Sequence, residues 1–234
     1  RPRRFGKSLL ISTLREIFKG NREIFKGLCI YDKIEWEAHP VIEIYFNALD
    51  YKSIGLNMAI SKELDNVAKN NNIQTTETSI ALKFKEIVGI LGKNKKVAIL
   101  IDEYDKPIID YLDNIPRAEE NREILKNFYS VIKGSEQYIK FLFITGVSKF
   151  SKVSIFSDLN HLTDITLDKN YATLVGITPD ELKQYFDGYI QLLADDYKDI
   201  YTDIYKALED EYLGYSWNGI DFVYNPYCLL NVLS

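Results

Sequence analysis

The sequence predicts an α/β protein built on a doubly wound, parallel sheet. Short apolar runs rich in β-branched residues (Val41–Phe46, Val97–Ile101 and Ile139–Ile144) alternate with amphipathic stretches of helical period. Val97–Ile101 is apolar at every position, as a strand buried on both faces requires. The order strand, helix, strand, helix, strand suits parallel pairing through right-handed crossovers.

Each element has its own signal. Leu9, Leu10, Leu14, Ile17 and Phe18 recur at helical spacing, predicting a helix over about 7–19 that Gly20 stops. A short amphipathic piece, Arg22 to Phe25, leads into Gly27, and Pro40 precedes the first strand. Leu56, Ile60, Leu64 and Val67 share one face of a helix over 54–68, broken by Asn70, Asn71 and Asn72. A further helix over 79–91 ends at Gly92, before a solvated turn carrying Lys93, Lys95 and Lys96. After the second strand, Pro107 to Leu112 is apolar, and Glu119 to Ile132 is amphipathic through Ile124, Phe128, Val131 and Ile132. Leu162–Leu167 alternates and reads as a last strand. Thr178-Pro179-Asp180-Glu181 is a capping box with proline at the first helical position, so a helix starts at Pro179. Helices follow, with Tyr185, Phe186, Ile190, Leu193, Tyr197, Ile204, Leu208 and Tyr212 expected on inward faces, and Asn225-Pro226 turns into one more.

Composition narrows the classes. With 46% hydrophobic residues, the 234-residue chain supports one large α/β domain and a smaller second region. The net charge of -5 argues against broad electrostatic binding to nucleic acid by this segment. Cys29 and Cys228 match no metal spacing and are expected as buried small hydrophobes in a reducing cytoplasm. His39 and His161 lack metal-ligand neighbours. No apolar run reaches the length of a membrane span.

The chemistry concentrates at two places. Arg1-Pro2-Arg3-Arg4-Phe5-Gly6-Lys7-Ser8 fits the phosphate-loop pattern G-x-x-x-x-G-K-[ST] at Gly6, Lys7 and Ser8, with Arg1 where the first glycine belongs. Gly6 lets backbone N–H groups turn toward an anion, Lys7 supplies a point charge to phosphates, and Ser8 offers a hydroxyl to Mg²⁺. The helix behind the loop presents the positive end of its dipole. The second place is Asp102-Glu103, at the carboxyl end of the Val97–Ile101 strand, where ligands bind in open α/β sheets. Asp102 is placed to hold Mg²⁺ and Glu103 to polarise an attacking water. A stray surface Gly-Lys-Ser or an acidic turn would explain either alone; together they read as a P-loop NTPase. The strand preceding such a loop is expected upstream of Arg1, beside the strand bearing the acids, so the chain reads as a fragment of a longer protein.

With Thr145-Gly146-Val147-Ser148-Lys149-Phe150-Ser151, Ile155-Phe156-Ser157-Asp158-Leu159-Asn160 and Tyr224-Asn225-Pro226-Tyr227, these motifs resemble the bacterial and archaeal AAA-ATPase-like family over nearly the whole chain. The resemblance implies ATP as the nucleotide, and a PD-(D/E)XK nuclease-like domain after the ATPase that makes DNA a partner. It leaves homo-oligomerisation open. It also accounts for Arg1, since the family carries arginine there, and implies that Thr145 is a polar sensor of the γ-phosphate or attacking water. A threonine capping the turn into Gly146 is the other reading. Arg4 is assigned with Gly6, Lys7 and Ser8 to the nucleotide; Arg1, Arg3, Ser148 and Lys149 receive no role. Arg117 and Arg122 read as surface helix arginines before arginine fingers. The expected division is a core over 1–176 and a partial helical, lid-like or winged-helix-like region over 177–234. Mg²⁺-dependent ATP hydrolysis is the leading function. The alternatives are a non-hydrolysing nucleotide switch and, weakly, a nuclease using Glu103, Asp105 and Lys106.

Overall fold

In the computed structural model, which describes residues 1–147, 155–156, 159, 162–198, 200 and 202–233, the chain forms two compact units. One is residues 11–162; the other joins residues 1–10 to 163–234. The first helix, α1 (Lys7–Phe18), runs from one unit into the other. Its end follows the expectation: Gly20 takes φ +74° while its N–H and that of Asn21 donate to Ile17 and Glu16 carbonyls.

The 11–162 unit is a three-stranded parallel sheet in the order β1 (Val41–Tyr45), β2 (Val97–Asp102), β3 (Ile139–Ile144). Helices α2 (Tyr51–Ile54), α3 (Leu56–Asn70), α4 (Ile80–Gly92), α5 (Lys106–Ile109) and α6 (Ile115–Ser130) connect the strands. One sheet face presents Ile42, Ile44, Val97, Ile99, Ile101, Leu142 and Ile144 to Ile60 and Leu64 of α3, Phe84 and Ile87 of α4, and Leu125 and Phe128 of α6. Phe84 and Phe128 stack at 4.8 Å in this core. The opposite face receives α1: Phe18 stacks on Phe141 at 5.0 Å, and Arg15 reaches Glu43 at 3.4 Å. Helices therefore lie on both faces, and every residue of β2 is buried between them, as its unbroken apolar run requires. β2 is hydrogen-bonded on both sides. Among the described residues the place beside β2 expected for a strand preceding the loop is therefore taken by β1 and β3, contrary to expectation.

The other unit contains α7 (Pro179–Tyr197), α8 (Ile204–Tyr212), a two-stranded ribbon of β4 (Tyr215–Ser216) and β5 (Phe222–Val223), and α9 (Pro226–Val232). The capping box is formed: Glu181 N–H donates to Thr178 Oγ1 at 3.1 Å, and Thr178 N–H donates to Glu181 Oε2 at 2.8 Å. Asn225 caps α9 through Tyr227 and Cys228 N–H groups. Leu182, Ile190, Leu208, Tyr224 and Leu229 make the core, with Phe186, Leu193 and Ile204 against it. Tyr185, Tyr197 and Tyr212 are exposed instead of inward: Tyr185 lies outside the stripe that Leu182, Phe186, Ile190 and Leu193 define on α7, and Tyr197 and Tyr212 are the last residues of α7 and α8. Leu162–Leu167 is not a strand. Asp164 Oδ1 accepts the Thr166 N–H at 2.9 Å, and this Asx turn takes the backbone out of the extended state. Cys29 is exposed in a run of turns, and Cys228 is half-buried, so neither is the fully buried hydrophobe expected. Among the described residues, no helix is long and apolar enough to cross a membrane.

Candidate functional site

The parallel register builds an acidic cluster in the 11–162 unit. Ile101 pairs with Ile144, so the next residues, Asp102 and Thr145, leave the sheet side by side. The pairing continues past the strand ends: Thr145 N–H donates to Ile101 O at 2.9 Å and Tyr104 N–H to Thr145 O at 3.0 Å. Asp102 has no exposed surface, and the Thr145 hydroxyl, itself buried, donates to Asp102 Oδ1 in a short hydrogen bond. The same hydroxyl oxygen accepts the Glu103 N–H at 3.4 Å. One threonine thus ties the two acids together, and its hydroxyl direction is set because a carboxylate only accepts.

Glu103 adopts φ +52°, a left-handed conformation uncommon for a residue with a side chain. Such strain persists only where surrounding bonds over-determine it, and it gathers at functional positions. Here the bonds from Glu103 and Tyr104 N–H groups to Thr145 supply that constraint. Gly146 completes the turn by close approach: a Cβ there would sit 2.5 Å from the Tyr104 ring and 2.9 Å from the Asp105 carboxyl carbon. Its absence lets Val147 N–H donate to Asp105 Oδ2 at 2.9 Å. Nearby, Tyr51, Lys52 and Lys106 converge on Asp110 at 2.8, 2.8 and 3.0 Å. Burial alone would push the Asp110 carboxyl up; the hydrogen bonds from Lys52, Tyr51 and Lys106 outweigh it and bring it down to about 2.

A basic cluster lies in the other unit. Gly6 takes φ +80°, and its carbonyl accepts the Leu10 N–H at 2.9 Å, so the loop delivers Lys7 and Ser8 as the first residues of α1. That is the geometry by which a helix N-terminus receives an anion. Lys7 Nζ donates to the Arg1 and Pro2 carbonyls at 3.0 and 2.7 Å. Phe5 is fully buried, edge-on to Tyr215 at 4.8 Å and Trp217 at 5.2 Å. Arg4, at φ +67°, places its guanidinium 4.5 Å over the Tyr227 ring. Arg1 is anchored by its side chain: Nε donates to Leu174 O at 3.2 Å, Nη1 to Thr166 O at 2.8 Å, and Nη2 to Tyr171 O and to Ala172 O at 3.2 Å. Its carbon Cζ lies 3.8 Å over the Trp217 ring.

The structure thus brings Asp102, Glu103 and Thr145 together, and separately groups Arg4, Gly6, Lys7 and Ser8. Sequence reasoning missed the aromatic wall of Tyr215, Trp217 and Tyr227 against the loop, and no local signal could have found it across more than two hundred residues. Arg117 pairs with Glu120 at 2.7 Å, and Arg122 with Glu123 at 3.2 Å, as surface helix arginines do. Lys106 belongs to the Asp110 cluster, which engages the lysine that a nuclease reading would use. His39 has a structural setting, bonded to Lys96 O at 2.8 Å. Ser148, Lys149, Phe150, Ser151, Ser157, Asp158, Asn160 and His161 lie outside the described residues. Among the described residues, no three His, Cys, Asp or Glu side chains cluster as a metal site. The hydroxyl of Ser8 in one unit and the carboxylate of Asp102 in the other are each hard oxygen donors of the kind Mg²⁺ takes.

An α/β fold with helices on both faces of a parallel sheet, a glycine-lysine-serine loop opening a helix and paired acids ending the central strand define a P-loop NTPase-like protein. The chain belongs to the AAA-ATPase-like family, described as a predicted AAA-ATPase, which matches residues 1–156. It is similar to an "Uncharacterized protein in vnfD 5'region" of Azotobacter chroococcum mcd 1, with 39% identity over 234 residues, 98% of this chain and 43% of the relative. The chain therefore spans less than half the length of that relative. No solved structure matches it.

Proposed function

We propose that this chain binds ATP with Mg²⁺ and hydrolyses it, as the nucleotide-driven part of a larger protein. The observation that carries the reading is Glu103, held in a left-handed backbone conformation at the carboxyl end of the central strand and tied through Thr145 to the buried Asp102. In this reading Lys7, Arg4 and the amides around Gly6 receive the phosphates, and Ser8 and Asp102 hold the cation. Glu103 takes the proton of the attacking water, and Thr145 senses the γ-phosphate. Mg²⁺, when bound, neutralises charge on the phosphates. Family membership supports nucleotide handling, ATP as the nucleotide is what the family resemblance implies, and hydrolysis as the outcome rests on the chemistry of these side chains. We extend the proposal to a nuclease-like domain outside this chain acting on DNA, to self-assembly and to a cytoplasmic setting.

The test is ATP turnover by the full-length protein with and without Mg²⁺, beside the Glu103→Gln variant. The reading requires Mg²⁺-dependent release of phosphate by the wild type. It also requires the variant to bind ATP while turning over about two to four orders of magnitude more slowly, the usual reach of general-base catalysis. Tight binding without turnover in the wild type would make the protein a nucleotide switch; absence of binding would remove the proposal.

A further inference from the structure

We propose that Arg1 is the positioning residue of the phosphate loop, holding by side-chain anchorage the place that a first glycine holds by backbone freedom. Its socket is the run of carbonyls over 166–174, closed by the face of Trp217. The inference rests on the loop being the nucleotide site and adds what fixes it.

Arginine carries five N–H donors in a rigid planar fork. In Arg1 the fork spans the carbonyls of Leu174, Thr166, Tyr171 and Ala172, while the π face of the guanidinium lies on Trp217. Four carbonyls from one short segment can converge only because that segment turns back on itself. The Asx turn at Asp164 and the 3₁₀ turn over Lys169–Tyr171 bend it, and Val175, at φ +59°, reverses the chain before α7. The socket is thus shaped by its own backbone, and a flexible ammonium has no matching planar fork for it.

The other end of Arg1 meets the chemistry. Its main-chain carbonyl, with that of Pro2, accepts Lys7 Nζ. One residue therefore fixes where the loop backbone lies and where the essential ammonium rests. Phe5, wedged edge-on between Tyr215 and Trp217, pins the same loop from its middle. An arriving phosphate draws Lys7 off the Arg1 and Pro2 carbonyls, so nucleotide occupancy is felt at the Arg1 socket and at Trp217.

The experiment uses full-length protein carrying Trp36→Phe, which leaves Trp217 as the indole reporter within this segment, and compares Arg1, Arg1→Lys and Arg1→Ala. Two readouts are taken: amide exchange over residues 1–10 and 163–177 without nucleotide, and ATP affinity by calorimetry. Arg1→Ala should speed exchange in both segments, leave that of 97–102 unchanged, and weaken ATP by about a hundredfold, the scale of a misplaced site. Arg1→Lys should restore little of either, and Trp217 emission should respond to ATP only with arginine in place. Should Arg1→Ala fail to fold, Arg1→Lys and Trp217→Leu carry the same comparison. Wild-type exchange in the variants, or wild-type ATP affinity in them, overturns the proposal. Lys7→Ala is the control for the underlying reading: if the wild type and Lys7→Ala both fail to bind ATP, the nucleotide assignment falls, and the exchange data still decide whether Arg1 anchors the loop.

Discussion

Asp102 and Thr145 show how much one side chain decides. A buried carboxylate needs donors, and the Thr145 hydroxyl is one that touches it directly. Thr145→Val keeps the shape and removes that donor, and should cost about 1–3 kcal/mol of stability in urea unfolding, with Thr145→Ser recovering most of it. Lys7→Ala removes the loop's fixed cation and should weaken ATP binding by on the order of 2–5 kcal/mol in a calorimetric titration, the usual loss when a desolvated charge pair is broken. Asp110 sets a pH dependence. Its carboxyl sits at about 2 in the fold against an ordinary 3.8, so its stabilisation is fully present above about 3.8 and is lost as pH falls through about 2. Asp110→Asn should therefore lower stability near neutrality by on the order of 1–2 kcal/mol, and the gap to wild type should close between about pH 4 and pH 2 in parallel melting series. The candidate acids were legible because an apolar run ending in Asp-Glu is local. The bond joining Asp102 to Thr145 comes from strand register 43 residues away. The single Thr145 O–H donates to Asp102, so acting as a sensor requires it to turn from that carboxylate toward the γ-phosphate.

At the scale of elements, local signals were reliable where the backbone itself states its needs. The capping box before α7 and the Asn225 cap of α9 formed as their residues imply. Thr178→Ala leaves an N-terminal amide of α7 without its acceptor and should cost about 1 kcal/mol, visible as a lower melting temperature of the isolated transition. Strands β1 to β3 fell within a residue of their apolar runs. Alternation misled at 162–167, where a single aspartate offered the backbone a turn that competed with pairing. The tyrosines of α7 and α8 misled for a different reason: a tyrosine is apolar enough to fit an inward stripe and polar enough to face water. Tyr185 falls outside the aliphatic stripe of α7, whereas Tyr197 and Tyr212 end their helices.

For the whole molecule, the sheet order was the least legible property. Nothing in a strand's own residues says which neighbour it chooses, and the pairing of β2 on both edges follows from the core as a unit. Charge, by contrast, is a property of the total. With a net charge of -5, this chain should show no retention on duplex DNA in fluorescence anisotropy at about 150 mM salt, beyond the non-specific range of about 10⁻⁴ M. Binding that does appear in the full-length protein would then map to the segments beyond this one.

The unit that joins residues 1–10 to 163–234 sets an order of assembly at the ribosome. Residues 11–162 are continuous, so the contacts within that unit do not wait for the residues after them. Within this segment the loop is made well before its partners, the 166–174 carbonyls and the ring of Trp217. At about 5–20 residues per second, the loop waits on the order of ten to forty seconds for Trp217 to be translated. A nascent chain halted just before that tryptophan carries every loop residue while the loop still lacks the ring that Arg1 and Phe5 pack on, so the loop stays unpinned until Trp217 emerges.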